Sequence, residues 1–225
     1  MITFGAILYN EEKFIRGLLN NIKPYCNELI IIDQESTDKT IEYVKASSKT
    51  DGWGNDLILK QTTNKKYADP DRTLLLSLPD KNSWIFMIDA DERLCDNIPF
   101  DDLIEMGYDG VNLPMKSLYF KEDSGYEDWD YNTLIEKGQE VNEGYPDWHI
   151  RLLRKGTIWP EKIHGQGIVK KQYNAPEYNM LHIKTYEKQL EKARRYATLY
   201  PDTVQFHNNY ITYIQKQLGK EVKGL

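Results

Sequence analysis

The sequence predicts an α/β fold: a mostly parallel sheet flanked by helices, followed by a smaller mixed region and C-terminal helices. Three observations lead there. Through residues 1–90 short apolar runs alternate with helix-like stretches, the pattern produced where parallel strands need crossover helices between them. The apolar run 84–88 ends abruptly in three carboxylates, Asp89, Asp91 and Glu92, and strand ends are where open sheets gather ligands. After Pro99 the alternation gives way to polar, aromatic and turn-prone sequence, expected to be the substrate-specific region.

Residues 2–9 read as the first strand. Asn10 offers a cap for the helix that follows, and Glu11 and Glu12 suit its positive end. Phe14, Ile15, Leu18, Leu19 and Ile22 recur on one face before Pro24 stops the helix. Residues 29–33 form a second buried strand, Ser36 or Thr37 caps a helix running to about Ala46, and 47–55 reads as a loop. A third strand is expected at 57–61, a short helix at 70–79 with Pro70 at its start, and the fourth strand at 84–89. Beyond these, 101–106 is expected to be helical, 110–115 extended and 122–144 irregular. Residues 149–153, 167–170 and 180–183 read as strands, and 186–200 as an amphipathic helix with Leu190, Ala193, Ala197 and Leu199 partly inward. With neither an internal repeat nor a low-complexity linker, 1–225 reads as one domain in three parts, 1–95, 96–183 and 184–225.

Composition narrows the function. The chain has 225 residues, 40% hydrophobic and 28% charged, within the ordinary globular range. Lys+Arg 29 against Asp+Glu 35 gives −6. With a pI near 5.3, this argues against capture of a phosphate polymer, so no nucleic-acid partner is expected. No apolar run approaches the roughly 20 residues a bilayer-spanning helix needs. Met1-Ile2-Thr3-Phe4 enters a strand without a basic leader, so the expectation is a cytoplasmic protein without a transmembrane segment. Cys26 and Cys95 lack a CxxC pattern or a nearby His, which suggests neither a disulfide scaffold nor a cysteine zinc site.

Packing alone does not ask for carboxylates clustered after a buried strand. They repel one another unless a divalent cation such as Mg²⁺ or Mn²⁺ accepts their oxygens and bridges them to phosphate. The bland readings are a solvated strand-end loop for Asp89 and Asp91, an Asx-type cap for Asp33, helix capping for Asn10 and Glu11, and a surface position for Arg72.

Ala6-Ile7-Leu8-Tyr9-Asn10-Glu11-Glu12, Ile31-Ile32-Asp33-Gln34-Glu35-Ser36-Thr37-Asp38-Lys39-Thr40 and Ile88-Asp89-Ala90-Asp91-Glu92-Arg93-Leu94 stand in that order, each at a predicted strand end. Together they resemble glycosyltransferase family 2, enzymes of the GT-A fold with a Rossmann-like sheet. The resemblance covers residues 2–95 and, more loosely, 145–185. It implies a nucleotide-sugar-binding half over 1–95, an acceptor side over 96–183, and transfer of a sugar from a nucleotide-sugar to an acceptor hydroxyl with inversion, assisted by Mn²⁺ or Mg²⁺. Tyr9, Asn10, Glu11 and Asp33 would line the nucleotide pocket, and Arg72 would contact the base or phosphates. Asp89 and Asp91 match the D-x-D motif, the first facing the ribose or a metal-bound water and the second holding the metal, so that Asp89, Asp91 and His182 are the metal-ligand candidates that the resemblance implies. Many relatives carry two acids where this chain has Asp33-Gln34. An amide donates as well as accepts, so a UDP-sugar is favoured while the base stays open.

Tyr145-Pro146-Asp147-Trp148-His149-Ile150-Arg151 resembles the acceptor-side segment in which an acid deprotonates the incoming hydroxyl of a glycan or other acceptor. That makes Asp147 the candidate base, with Glu143, Asp128 and Asp130 as neighbouring alternatives. His182 is the candidate to complete the metal shell, with His164 the alternative. A metal-dependent phosphohydrolase or nucleotidyltransferase, and a non-catalytic nucleotide-sugar-binding module, are the competing classes. No Walker-type glycine-rich loop supports the former.

Overall fold

The computed structural model describes residues 2–50, 56–63, 69–79, 84–120, 129–140, 145–160, 166–199 and 204–217. Strand β1 (Ile2–Leu8) is buried along its whole length and is followed by α1 (Glu12–Ile22) and β2 (Glu28–Asp33). Next come α2 (Thr40–Thr50), β3 (Leu57–Gln61), α3 (Asp69–Ser77), β4 (Trp84–Met87), β5 (Glu92–Leu94) and α4 (Phe100–Glu105). The second half contains β6 (Gly110–Phe120), α5 (Tyr131–Lys137), β7 (Gln139–Glu140), β8 (Asp147–Arg154), β9 (Gln172–Asn174), β10 (Met180–Thr185), α6 (Tyr186–Leu199) and α7 (Val204–Gln217).

Among the described residues one sheet runs β3-β2-β1-β4-β8-β6-β10-β5, with β7 and β9 also paired to β6. The strands from β3 to β4 are parallel, as crossover connections require. β8 then enters antiparallel between β4 and β6. The expected mostly parallel sheet with a mixed second region is thus observed.

Alternate residues of the central strands feed two cores. Phe4, Ile31 and Phe86 face α1, packing with Phe14, Ile15 and Leu18, while Ile7, Ile30, Ile32, Ile85 and Met87 face α3 through Leu75 and Leu76. Phe100 of α4 meets Phe4 and Phe86 edge-on, with centroids 5.8 and 5.4 Å away. Each such fully buried side chain contributes roughly 1.5–3 kcal/mol relative to exposure. Gly5 lets α3 approach: a Cβ there would lie 2.9 Å from Leu75 Cδ1 and 3.0 Å from its Cγ.

Several boundaries differ from expectation for identifiable reasons. Asn10 does not cap α1. Glu11 holds the N-cap position without a side-chain bond, and Asn10 adopts φ 54°, accepting from Thr37 N at 2.8 Å. Ser36 and Thr37 are engaged with that turn, so α2 starts at Thr40, whose N and Oγ1 donate to Asp38 Oδ1. Residues 47–50 are helical rather than loop, and there the Ser48 and Thr50 hydroxyls are satisfied by carbonyls one turn back. β4 ends at Met87, and the acidic turn runs directly into the short strand β5, which was not expected. The described part of 122–144 contains α5, capped by Asp130, which accepts from Thr133 N at 2.7 Å, and β7. No strand forms over 167–170. A lone bridge joins Ile158 to Ile168, both largely exposed and without a core to pack on.

Candidate active site

The turn Asp89-Ala90-Asp91 lies where β4 leaves the sheet and reverses into β5. Three bonds hold its shape: Asp89 N donates to Glu92 Oε2 at 2.9 Å, Glu92 N to Asp89 O at 3.0 Å, and Ile183 N to Asp91 O at 2.7 Å. Beneath it Arg93, 1% exposed, donates Nη1 to the carbonyls of Ala90 and Glu92 and Nη2 to that of Phe14, fastening the turn to α1.

Two guanidinium groups face Asp89. Arg72 Nη2 lies 3.3 Å from Oδ1 and Arg151 Nη2 3.6 Å from Oδ2. Arg72 also stacks over Trp159 at 4.9 Å, and Arg151 bonds the buried Glu92 carboxylate. Burial disfavours an ionised Asp89, but Arg72 and Arg151 outweigh it and hold the carboxyl below its ordinary range. Burial pushes Glu92 up to about 8 against the pull of Arg151.

Asp91 has different company. The β5–β10 register sets Glu92 opposite His182, bringing His182 Nε2 to 3.5 Å from Asp91 Oδ2. Lys188, in the first turn of α6, places Nζ 3.3 Å from the same oxygen, bonds Glu11 and sits 4.0 Å above the Phe14 ring. Burial opposes charge on Asp91, yet Lys188 and His182 hold its pKa well below the carboxylate range. Burial also depresses His182, favouring the neutral ring despite Asp91. A neutral imidazole nitrogen beside an ionised carboxylate is a donor pair able to ligate a divalent cation. Among the described residues no three His, Cys, Asp or Glu side chains converge as a ready metal cluster. Of the three metal-ligand candidates in the sequence, Asp91 and His182 lie together at 3.5 Å, while Asp89 faces the arginines.

The other sequence candidates lie along the same strand ends. Asp33, 4% exposed, accepts from Ser36 N at 3.1 Å and from Gln61 Nε2 at 3.5 Å. Gln34 is buried and donates to Asp71 Oδ2 at 2.7 Å, which also accepts from Thr62 Oγ1 at 3.0 Å. Tyr9 lies under the Arg195 guanidinium at 5.1 Å. Asp147 opens β8, whose antiparallel pairing with β4 carries it to the end where β4 delivers Asp89. It is mostly exposed and bonds His149 Nε2 at 2.9 Å; this bond holds its carboxyl below the ordinary range. Asp130 is occupied as the α5 cap, whereas His164, Asp128 and Glu143 lie outside the described residues.

Sequence reasoning missed Lys188 and the paired role of Glu92. The sequence reads 186–200 as an amphipathic helix without singling out Lys188, yet Lys188 turns inward where α6 follows directly on β10. Its amide donates to Thr185 Oγ1 at 3.3 Å, fixing that first turn over the acidic pair.

No protein-family model matches the chain. Over 95 residues it is 35% identical to the SPbeta prophage-derived glycosyltransferase SunS of Bacillus subtilis (strain 168), an alignment covering 40% of this chain and 20% of the relative. It is 35% identical over 96 residues to an uncharacterized glycosyltransferase of Rickettsia bellii (strain RML369-C), covering 41% of this chain and 28% of that one. The match with SunS thus spans about a fifth of that relative's length. Among solved structures, S. aureus TarS 1-349 in complex with UDP superposes with TM-score 0.54 at 14% identity, over 96% of this chain and 72% of that one. The mannosyltransferase PcManGT from Pyrobaculum calidifontis, in complex with GDP-Man and Mn²⁺, gives 0.53 at 12% identity, over 97% and 72%. The expected GT-A glycosyltransferase fold is therefore the fold of this chain.

Proposed function

We propose that this chain is the catalytic unit of a metal-dependent glycosyltransferase that moves a sugar from a nucleotide-sugar to an acceptor hydroxyl with inversion. The observation that carries this reading is the Asp89-x-Asp91 turn at the end of β4, with arginines on the first carboxylate and an imidazole on the second. Open α/β sheets bind ligands at that edge.

Tyr9, Asn10, Glu11 and Asp33 line the nucleotide side. A UDP-sugar is favoured, as in the TarS complex, although PcManGT is seen with GDP-Man. Arg72 and Arg151 orient Asp89 and add positive charge where phosphate collects. Asp91 and His182 would hold a divalent ion, Mn²⁺ or Mg²⁺, and such an ion would supply Lewis-acid stabilisation of charge on the departing diphosphate.

Asp147 receives the proton as the acceptor oxygen forms its bond to the anomeric carbon. The bond from that carbon to the diphosphate oxygen breaks with its electron pair leaving on the nucleotide, so one displacement inverts the centre. His149 keeps Asp147 ionised and oriented for that transfer. A single acceptor-side base suits inversion.

Screening UDP-, GDP- and dTDP-sugars by thermal unfolding with Mn²⁺ and with EDTA tests the reading, since a ligand bound only to the native state raises its apparent stability. One nucleotide class should stabilise the chain only when metal is present, and Asp91→Ala should abolish the gain. The same stabilisation in EDTA, or none from any nucleotide, contradicts the proposal.

A further inference from the structure

Of the two basic groups beside Asp91 Oδ2, the nearer is an ammonium. Lys188 Nζ is 3.3 Å from it, against 3.5 Å for His182 Nε2. The lysine side chain is 21% exposed, Glu11 18% and Asp91 10%. The Phe14 ring closes the remaining side at 4.0 Å, an arrangement favourable to a cation. Lys188 thus ties together the turn after β1, the turn after β4 and the start of α6. The first two of these bring Glu11 and Asp91 toward each other, and the ammonium lies between the two carboxylates.

A dication accepting Asp91 Oδ2 would lie within a few ångströms of that ammonium, in surroundings where water screens poorly. Two like charges there repel strongly. Both cannot hold the oxygen together at full strength. Resting on the metal-dependent reading above, we propose that Lys188 is a built-in competitor for the metal seat. Its ammonium neutralises Asp91 and Glu11 when no ion is present, and the metal must take Asp91 from it. When the ion binds, the ammonium keeps Glu11 and turns its free donors toward the diphosphate oxygens beside the metal. Lys188 therefore weakens binding of metal alone and makes metal and nucleotide bind cooperatively, because diphosphate gives the displaced ammonium a new partner.

The test uses Mn²⁺ alone as probe, followed by isothermal titration or by the spin-resonance signal of the free ion, on the full chain. Lys188→Gln should bind Mn²⁺ at least tenfold more tightly than the parent, whereas Lys188→Arg, which keeps the charge, should stay within threefold of it. Circular dichroism and a cooperative unfolding transition establish that each variant is folded. Lys188→Met serves the same purpose should the glutamine variant not fold. Equal or weaker Mn²⁺ binding by the neutral variants overturns the role of Lys188 while leaving metal dependence standing. Binding of Mn²⁺ by none of the proteins overturns both. With UDP present, the parent should gain Mn²⁺ affinity by a larger factor than Lys188→Gln does; an equal gain also counts against the competitor.

Discussion

Replacing Arg151 by Met probes what stabilises the acidic turn. Arg151 is 4% exposed and Glu92 1%, so neither side chain has water to fall back on. Arg151 bonds Glu92 directly and approaches Asp89 to 3.6 Å. Burial already pushes Glu92 up to about 8, so at pH 7 it is mostly protonated, and removing Arg151 costs the acid its guanidinium bond rather than stranding a bare charge. Losing a buried hydrogen bond to a charged group costs about 1.5–3 kcal/mol, a sizeable share of the roughly 5–15 kcal/mol by which domains are stable. For a chain of this size the melting midpoint should fall by roughly 3–12 °C, read by calorimetry and checked by urea titration at pH 7. Arg72→Met is the contrast: its partner Asp89 is 35% exposed, and such pairs are worth about 1 kcal/mol or less. The double variant Arg151→Met/Glu92→Leu removes both buried partners and should recover at least half the loss. Full recovery is not expected, because Asp89 N loses its acceptor. A loss below about 1 kcal/mol for Arg151→Met, or a double variant no better than the single, would refute the reasoning.

Gly5→Ala drives a methyl against Leu75, whose three branch atoms stand 2.9–3.0 Å from the new carbon. It should cost about 1–3 kcal/mol by urea denaturation, and it should weaken nucleotide binding because α3 carries Arg72. Arg93→Met withdraws donors from the carbonyls of Ala90, Glu92 and Phe14. A loss of about 2–4 kcal/mol is expected, with hydrogen exchange accelerated at the turn first. Asp147 has a folded pKa below its unfolded value, so its contribution is complete above about pH 4 and lost as pH falls through the folded pKa. The stability difference between parent and Asp147→Asn should thus be flat from pH 8 to about 4 and shrink below that. The same variant should suppress transfer yet keep nucleotide binding; unchanged transfer would move the base elsewhere.

The strands were legible where burial on both faces writes continuous apolar runs, as in β1, β2 and β4. The acidic turn was legible because nothing about packing explains it. What escaped was set by tertiary pairing. β5 is three residues long and exists only because β10 runs beside it. β6 continues past Met115 because β10 gives residues 115–120 a partner. Ser36 and Thr37 looked like helix caps, but their bonds go to the turn after β1, a contact 26–27 residues distant in sequence. Lys188 resembled its solvated neighbours, since no local pattern records which face of α6 meets Glu11 and Asp91.

The junction of β4 with β8 bears on how such a cleft can work. Three residue pairs, from Trp84–Arg154 to Phe86–Leu152, weld the nucleotide-side strands to those carrying Arg151 and Asp147. Swinging one lobe against the other would tear that seam, at roughly 0.5–1.5 kcal/mol for each hydrogen bond lost. For the proposed transfer, the spacing between leaving group and incoming hydroxyl would then be set by an unhinged floor.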